Sequence, residues 1–481
     1  MSRQYVILGA SAAGIGAAAR LRELDPEAVI TVVGEEPHYA YYRPLLPFLI
    51  DGRQSLADIA FWPEQWYAEQ RVRLILGVRG HRIEPDRKVV ELEDGRRFDY
   101  DALLLAVGAD SRIPTIPGID ASGAYPLRTI DDAERIAARA RAALAGTAVA
   151  GRRGGDGVDG AHAVLLGAGL VSLKAAEPLM NLGMRCTFVV ASAHPLSRVV
   201  DARVGGMVAE RLLERGARLY FGREVTALLH DADDSVTGVT LDTGESLACD
   251  LVIVGKGVAP NLEPARRSEF ACHWGVRAGL YLETTSPDVY AAGDCVETND
   301  VVTGGQQVAA LWTNAVSMAH IAAYNMVHGP EPGRMRRFPG VIGTMNSGVV
   351  AGLPIVAMGL TDPVGERYEA VTAVDRSAGF TGNGGPPGEL GASAGDDASE
   401  GSGASVGRGV RAFRKLVFDG DRLVGAILAG RVDRAGVYRG FIETGLPLGP
   451  TLRAAAEEGR LTYADVQMRG QKPPYANYMP M

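Results

Sequence analysis

An α/β fold with two separate βαβ units on parallel sheets, followed by a smaller α+β portion, is predicted by three observations. An apolar run, a glycine turn and an alanine-rich helix open the chain in "YVILGASAAGIGAAARLREL". The same order returns at residue 161 in "AHAVLLGAGLVSLKAAEPLMNLG". Near the C-terminus, "YEAVTAV", "RAFRKLVF" and "RLVGAILAG" read as strands of one antiparallel sheet. Strands covered on both faces are continuous apolar runs, which suits the first two segments. A chain of 481 residues with 47% hydrophobic content exceeds one core, and about two or three domains are expected.

The elements follow in order. Strand "YVILGA", helix "AAGIGAAARLREL" and strand "VITVVGEE" make the first βαβ unit; "AHAVLLGAGL", "SLKAAEPLMNLG" and "RCTFVVA" make the second. Between them, "AGTAVAGRRGGDGVDGAH" has no apolar period and reads as a surface loop. "TTSPDVYAAGDCVET" ends an apolar strand in Ala-Ala-Gly-Asp. From Asp375 to Gly409, glycine, serine, alanine and acid leave almost nothing to bury, so 376–409 is expected to be a disordered insertion between two strands of the C-terminal sheet.

Both glycine turns suit a dinucleotide pyrophosphate at a helix N-terminus, where backbone N–H groups and the macrodipole favour an anion. In the first, Gly9 permits the tight turn, Ser11 replaces the middle glycine and Gly14 allows close packing of helix on strand. Its second strand ends at "VVGEEP", placing Glu35 or Glu36 where a carboxylate accepts the ribose hydroxyls. In the second, Gly167 and Gly169 are kept and Ser172 stands at the packing position. There the ribose carboxylate is missing, since Ala191 and Ser192 follow Val190. His194 and Arg198 are close enough in sequence to meet a 2′-phosphate, although Arg198 reads first as a solvated arginine, and the choice between NADH and NADPH stays open. Two such turns make sense if one holds a flavin permanently and the other admits an exchangeable nicotinamide. In "VYAAGDC", Gly293 lets the backbone approach closely and Asp294 is placed to accept a hydroxyl.

Composition excludes other classes. A net charge of -8 and a pI near 5.6 argue against a polyanion surface, so nucleic acid is not expected. No apolar stretch of about 18 residues escapes charge and the chain starts directly into a strand, which predicts a cytoplasmic protein without a membrane span. Cys186, Cys249, Cys272 and Cys295 are scattered, and the eight histidines show no ligand spacing. Neither a disulfide framework nor a protein-bound metal is read.

The ordered set "GASAAG", "YYRPLL", "LLLAVGADSRIP", "LRTIDDA", "GAGLVSLKAAE", "DLVIVGKGVAPN", "VYAAGDC" and "LWTNAVSMAHIAAYNM" resembles the pyridine nucleotide-disulfide oxidoreductase superfamily. Within it, the chain is most similar to the branch of rubredoxin reductases, NADH oxidases and nitrite reductase flavoproteins. The resemblance implies two Rossmann-like domains, the FAD domain interrupted by the NAD(P) domain, plus a C-terminal α+β domain. The implied boundaries are 1–125 and 250–332 for the FAD domain, 126–249 for the NAD(P) domain and 333–481 for the last. It implies FAD as cofactor and NAD(P)H as exchangeable substrate, with Gly9, Ser11, Gly14 and Glu35 on the FAD pyrophosphate and ribose and Asp294 on the ribityl chain. Arg43 and Pro44 resemble the arm over the flavin, Arg128 the arginine near the FAD, Gly257 the nicotinamide-side glycine and Trp312 an aromatic near the flavin ring.

Departures from the family pattern direct the mechanism. The flavin arm "YYRPLLPFLIDG" carries no cysteine, so electrons are expected to leave the reduced flavin directly, to an iron-sulfur or other redox protein. Val107 stands where the family's turn has threonine. Lys174 stands where the family has a glutamate paired with an arm lysine, and the arm position here is Phe48. A cation in the first turns of a helix opposes the macrodipole at about 0.3 to 1 kcal/mol. Lys174 is therefore expected, with Arg43, to be catalytic, reaching the isoalloxazine near N5 to stabilise reduced flavin. The leading reading is a free reductase of a carrier protein. The alternatives are a flavoprotein subunit of a larger complex, such as a nitrite reductase or phenylglyoxylate dehydrogenase, and an interaction protein of the apoptosis-inducing factor type. A homodimer or a place in a complex accords with the resemblance.

Overall fold

The computed structural model describes residues 2–150, 160–329, 333–375, 411–462 and 464–465. The insertion expected at 376–409 and the tail "QKPPYANYMPM" lie outside the described residues.

The chain lays down β1 (Gln4–Leu8), α1 (Ala12–Leu24), β2 (Val29–Gly34), β3 (Val72–Leu76) and β4 (Ala102–Leu105). It continues through α2 (Ile130–Ala150), β5 (His162–Leu166), α3 (Leu170–Asn181), β6 (Arg185–Val190), α4 (Ala202–Glu214), β7 (Arg218–Phe221) and β8 (Leu251–Val254). It then adds β9 (Val289–Ala291) and α5 (Trp312–His328). Five further strands form the C-terminal sheet, β10 (Met345–Val350), β11 (Leu353–Gly359), β12 (Tyr368–Asp375), β13 (Ala412–Asp419) and β14 (Arg422–Ala429), and the helices Ala435–Thr444 and Gly449–Glu457 follow. Two compact units result, Met1–Arg112 with Val258–Gly343 and Ile113–Gly257 with Thr344–Met481.

In the first unit, five parallel strands run in the order β9-β4-β1-β2-β3. The topological switch point, the usual place for a ligand in such a sheet, lies where the order reverses about β1. The alanines of α1 are buried and allow close approach, as at Gly16, where an added Cβ would meet the Ala319 Cβ of α5 at 3.6 Å. Arg22 is buried because its guanidinium donates to the carbonyls of Gln70 (2.8 Å), Pro26 (2.8 Å) and Ala28 (2.9 Å). It thereby pins the α1–β2 connection.

The second unit repeats the plan with β7-β6-β5-β8 and the short strand Ala124–Tyr125, all parallel. His162 is a core histidine of β5, its ring nitrogens 2.7 Å from the Ala248 carbonyl and 2.8 Å from Thr187 Oγ1. The alanine-rich α2 continues to Ala150, six residues into the stretch expected to be a loop; 151–159 lie outside the described residues. The C-terminal strands form one antiparallel sheet in the order β10-β11-β14-β13-β12, with β12 paired to β13 across the insertion as expected. Buried Lys415 of β13 joins this sheet to the parallel-sheet half of the unit, 2.8 Å from Asp362 and 3.4 Å from Asp201 at the head of α4. Among the described residues no helix is long and apolar enough to cross a membrane.

Candidate functional site

The first glycine turn is dictated by its own backbone. Gly9 has φ +121°, and a Cβ there would lie 2.0 Å from the Ala106 carbonyl oxygen; at Gly14 it would lie 1.7 Å from the Gly9 carbonyl oxygen. Ser11 is the N-cap of α1, with extended backbone and no capping bond from its hydroxyl, and the first turn holds no acid. The N–H groups at this helix end are left to an anion.

Arg43 gathers the rest of this site. It begins a short 3₁₀ turn, Arg43–Leu45, in which Pro44 fixes the backbone. Its guanidinium donates to Glu36 Oε1 (2.6 Å), to the Tyr41 hydroxyl (3.1 Å) and to Ser11 Oγ (3.4 Å). Burial disfavours its charge, but Tyr41, Glu36 and Asp294 together outweigh that and hold its pKa above the usual value. Ser11, Glu36, Arg43 and Asp294 thus form one electrostatic cluster at the head of α1.

Adjacent acids behave differently. Glu36 also accepts from the Tyr41 hydroxyl (2.6 Å), whereas Glu35 pairs with Arg79 at the surface. Glu36 and Tyr41 are the residues whose part in the cluster the sequence reading did not assign. The signal for Glu36 was present in "GEEP", but strand alternation alone could not tell which acid turned inward.

Gly293, with φ +86°, sits against Ala13, where a Cβ would approach the Ala13 Cβ to 3.1 Å, and presents Asp294 next in the chain. Trp312 starts α5 with its ring 5.1 Å from Tyr42 and 5.5 Å from Phe61. Asn261 donates to the Val107 carbonyl (3.2 Å), so that turn is held through its backbone without the family's threonine hydroxyl. Burial pushes the thiols of Cys186, Cys249 and Cys295 up to about 12, and Cys272, less buried, is also raised. None is poised as a thiolate.

The second turn is built differently. Gly167 has φ +95°, and its Cβ would stand 3.0 Å from the Gly255 carbonyl oxygen. Gly169 caps α3, with open space where a Cβ would be; among the described residues no protein atom requires glycine there. Ser172 is fully buried, its hydroxyl without a hydrogen-bond partner among the described residues. It faces Gly255, where a Cβ would fall 1.8 Å from Ser172 Oγ. The missing packing glycine of α3 has been transferred to the strand end opposite. Gly257 has φ +87° and open surroundings.

Lys174 is half-buried, its Nζ donating to the Val349 carbonyl of β10 (2.6 Å) and lying 3.7 Å from Glu177. Pro178, one turn on, lacks the N–H that would bond the Lys174 carbonyl. Arg128 belongs to the second unit, before α2, where its backbone N–H donates to Asp132 Oδ2 (3.0 Å).

The donor set at the first turn fits a flavin dinucleotide: a free helix N-terminus for pyrophosphate, Arg43 beside it, and Glu36 and Asp294 as hydroxyl acceptors. Comparison with known proteins accords with this. Residues 3–319 match the family model described as pyridine nucleotide-disulphide oxidoreductase. The chain is 29% identical over 376 residues to the NADH-dependent phenylglyoxylate dehydrogenase subunit epsilon of Aromatoleum evansii, covering 78% of this chain and 83% of that one. It is 29% identical over 328 residues to the rubredoxin-NAD(+) reductase of Pseudomonas putida, covering 68% and 80%. In fold it is similar to a ferredoxin reductase from Rhodopseudomonas palustris, with TM-score 0.76 at 23% identity over 98% of this chain and 100% of that chain.

Proposed function

Because the chain belongs to the pyridine nucleotide-disulphide oxidoreductase family, we propose that it is an FAD-dependent oxidoreductase that moves electrons between NAD(P)H and a redox partner protein, without a redox-active cysteine. One observation carries the reading. Two glycine turns occupy equivalent places in two parallel sheets, and among the described residues only the first has a cluster of charged side chains gathered at the helix head.

A flavin held here would supply hydride acceptance from a nicotinamide and one-electron release. The protein's own residues bind and orient. The Gly9–Gly14 turn takes the pyrophosphate, Glu36 is favoured over Glu35 for the ribose by its inward position, and Asp294 takes the ribityl hydroxyls. Arg43 ties these together and supplies positive charge, while Trp312 borders the ring. In the second unit, Gly167, Gly169 and Gly257 admit the nicotinamide dinucleotide. Lys174, held at the Val349 carbonyl, would supply the positive charge that favours reduced flavin. The protein works in the cytoplasm with an iron-sulfur or similar acceptor.

A second reading, a flavoprotein subunit of a larger complex, is supported by the relative from A. evansii, whose name is that of a subunit and whose match extends over 376 residues. The test is spectroscopic. The purified protein should be yellow with about one FAD per chain, bleach on anaerobic NAD(P)H, and recover its colour on adding a ferredoxin. Absence of flavin, or a dithiol appearing on reduction, would contradict the proposal; co-purifying iron-sulfur subunits from the native host would favour the second reading.

A further inference from the structure

The two units can be superimposed by their hydrogen bonds. Gly9 N donates to Val33 O at 2.7 Å, as Gly167 N does to Val189 O at 2.8 Å. Val78 N donates to Gly34 O (3.1 Å), as Arg223 N does to Val190 O (3.2 Å). Gly77 N meets Glu36 O (3.3 Å), as Gly222 N meets Ser192 O (3.4 Å). Position by position, Glu35 becomes Ala191, Glu36 becomes Ser192 and Val78 becomes Arg223. Both carboxylates of the ribose edge are lost, and an apolar position gains a guanidinium.

We propose that the second unit binds the 2′-phosphorylated nicotinamide dinucleotide, NADPH, in preference to NADH, with Arg198 and Arg223 taking the 2′-phosphate. The proposal rests on reading this unit as the nicotinamide domain. An acid at this edge accepts a ribose diol and repels a phosphate, whereas an arginine accommodates the phosphate. Guanidinium and phosphate match as a bidentate, charge-assisted pair.

Both arginines are available. Arg223 donates only to its neighbour's carbonyl, Gly222 O at 3.0 Å, and Arg198 has no partner among the described residues; both are exposed. The loop that carries Arg198 is fixed to the glycine turn, since Leu196 N donates to Ala168 O at 3.0 Å. Ser192 Oγ donates to the His194 carbonyl at 2.9 Å, and the His194 ring packs over Gly205, which shapes the same loop. Asp201 is committed elsewhere, capping Val204 N (3.1 Å) and facing Lys415. Glu224 stands at the Arg79-equivalent position, because Asp242 N donates to Glu224 O as Glu93 N does to Arg79 O. It is the countercharge that the test must separate.

Calorimetric titration of the full-length holoenzyme with 2′,5′-ADP and with 5′-ADP, at one ionic strength, reads the preference without turnover. The expected result is binding of 2′,5′-ADP at least about tenfold tighter. That advantage should fall about tenfold in R198E and in R223E, and it should reverse in S192E, which restores the first unit's inward acid at the position equivalent to Glu36. E224Q should leave or strengthen it. Equal or tighter binding of 5′-ADP by the wild type, or an advantage untouched by both arginine variants, overturns the proposal while keeping the nicotinamide domain. Failure of both ligands to bind overturns the domain reading with it.

Discussion

The two glycine turns occupy the same place in two parallel sheets, yet one is closed by backbone and the other is open. At the first, added Cβ atoms would strike carbonyl oxygens at 2.0 Å and 1.7 Å; at the second, Gly169 has free space and Gly167 clears its nearest carbonyl oxygen by 3.0 Å. The first is lined by Arg43, Glu36 and Asp294 in one cluster, while the second has lost its acids. The same chain topology thus carries two different sets of side chains, which the proposed function reads as a site for a ligand that stays and a site for one that exchanges.

The same methyl group placed in both turns should have unequal effects. Gly14→Ala forces backbone to move and should cost about 2 to 3 kcal/mol together with most of the flavin, read by melting and by absorbance. Gly169→Ala should cost less than about 1 kcal/mol, the difference between glycine and alanine at an N-cap, and keep the flavin while weakening NAD(P)H binding. Equal losses would make the turns alike.

Next comes the exchange of packing glycine between helix and strand. Gly255→Ala drives a methyl into Ser172 and should cost about 1 to 3 kcal/mol. Ser172→Gly made with it should recover most of that loss, with a coupling above about 1 kcal/mol in a double-mutant cycle. Additive effects would mean the two residues do not share the space.

Lys174→Met should cost only about 1 kcal/mol of stability, the net worth of one ordinary hydrogen bond, because the half-buried ammonium gains less than a fully buried charge. It should also slow flavin bleaching by NAD(P)H and lower the flavin potential. Unchanged rate and potential would leave Lys174 as a tie between α3 and β10. The smallest effect belongs to the thiols: alkylation of the folded protein near pH 8 should modify Cys272 alone and leave NAD(P)H-to-dye activity intact. The other three are buried and stay protonated, with pKa values pushed up to about 12, so thiolate reactivity appears only as pH rises toward that value. Loss of activity that tracks Cys295 would place it at the site.

Local pattern made the nucleotide halves legible. Apolar runs and glycine spacing located β1, α1, β2 and β5, α3, β6, because buried parallel strands and turns needing positive φ leave residue-level signatures. What was not legible depends on contacts far apart in sequence. Ser172 finds its glycine at residue 255, and Lys174 its acceptor at Val349. Glu35 and Glu36 differ only in which way the chain turns after β2. The extension of α2 to Ala150 shows helix propensity of an alanine-rich segment prevailing where glycine content suggested a loop.

On the proposed function, the first turn holds the flavin and the second turn contributes nothing to its retention. The direct measurement is the flavin-to-protein ratio after exhaustive dialysis of the wild type, Arg43→Met and Gly169→Ala. The account predicts a ratio of about one for the wild type and Gly169→Ala, and far less for Arg43→Met, whose loss removes charge-assisted bonds worth about 1.5 to 3 kcal/mol each. A flavin retained by Arg43→Met and lost from Gly169→Ala would contradict it.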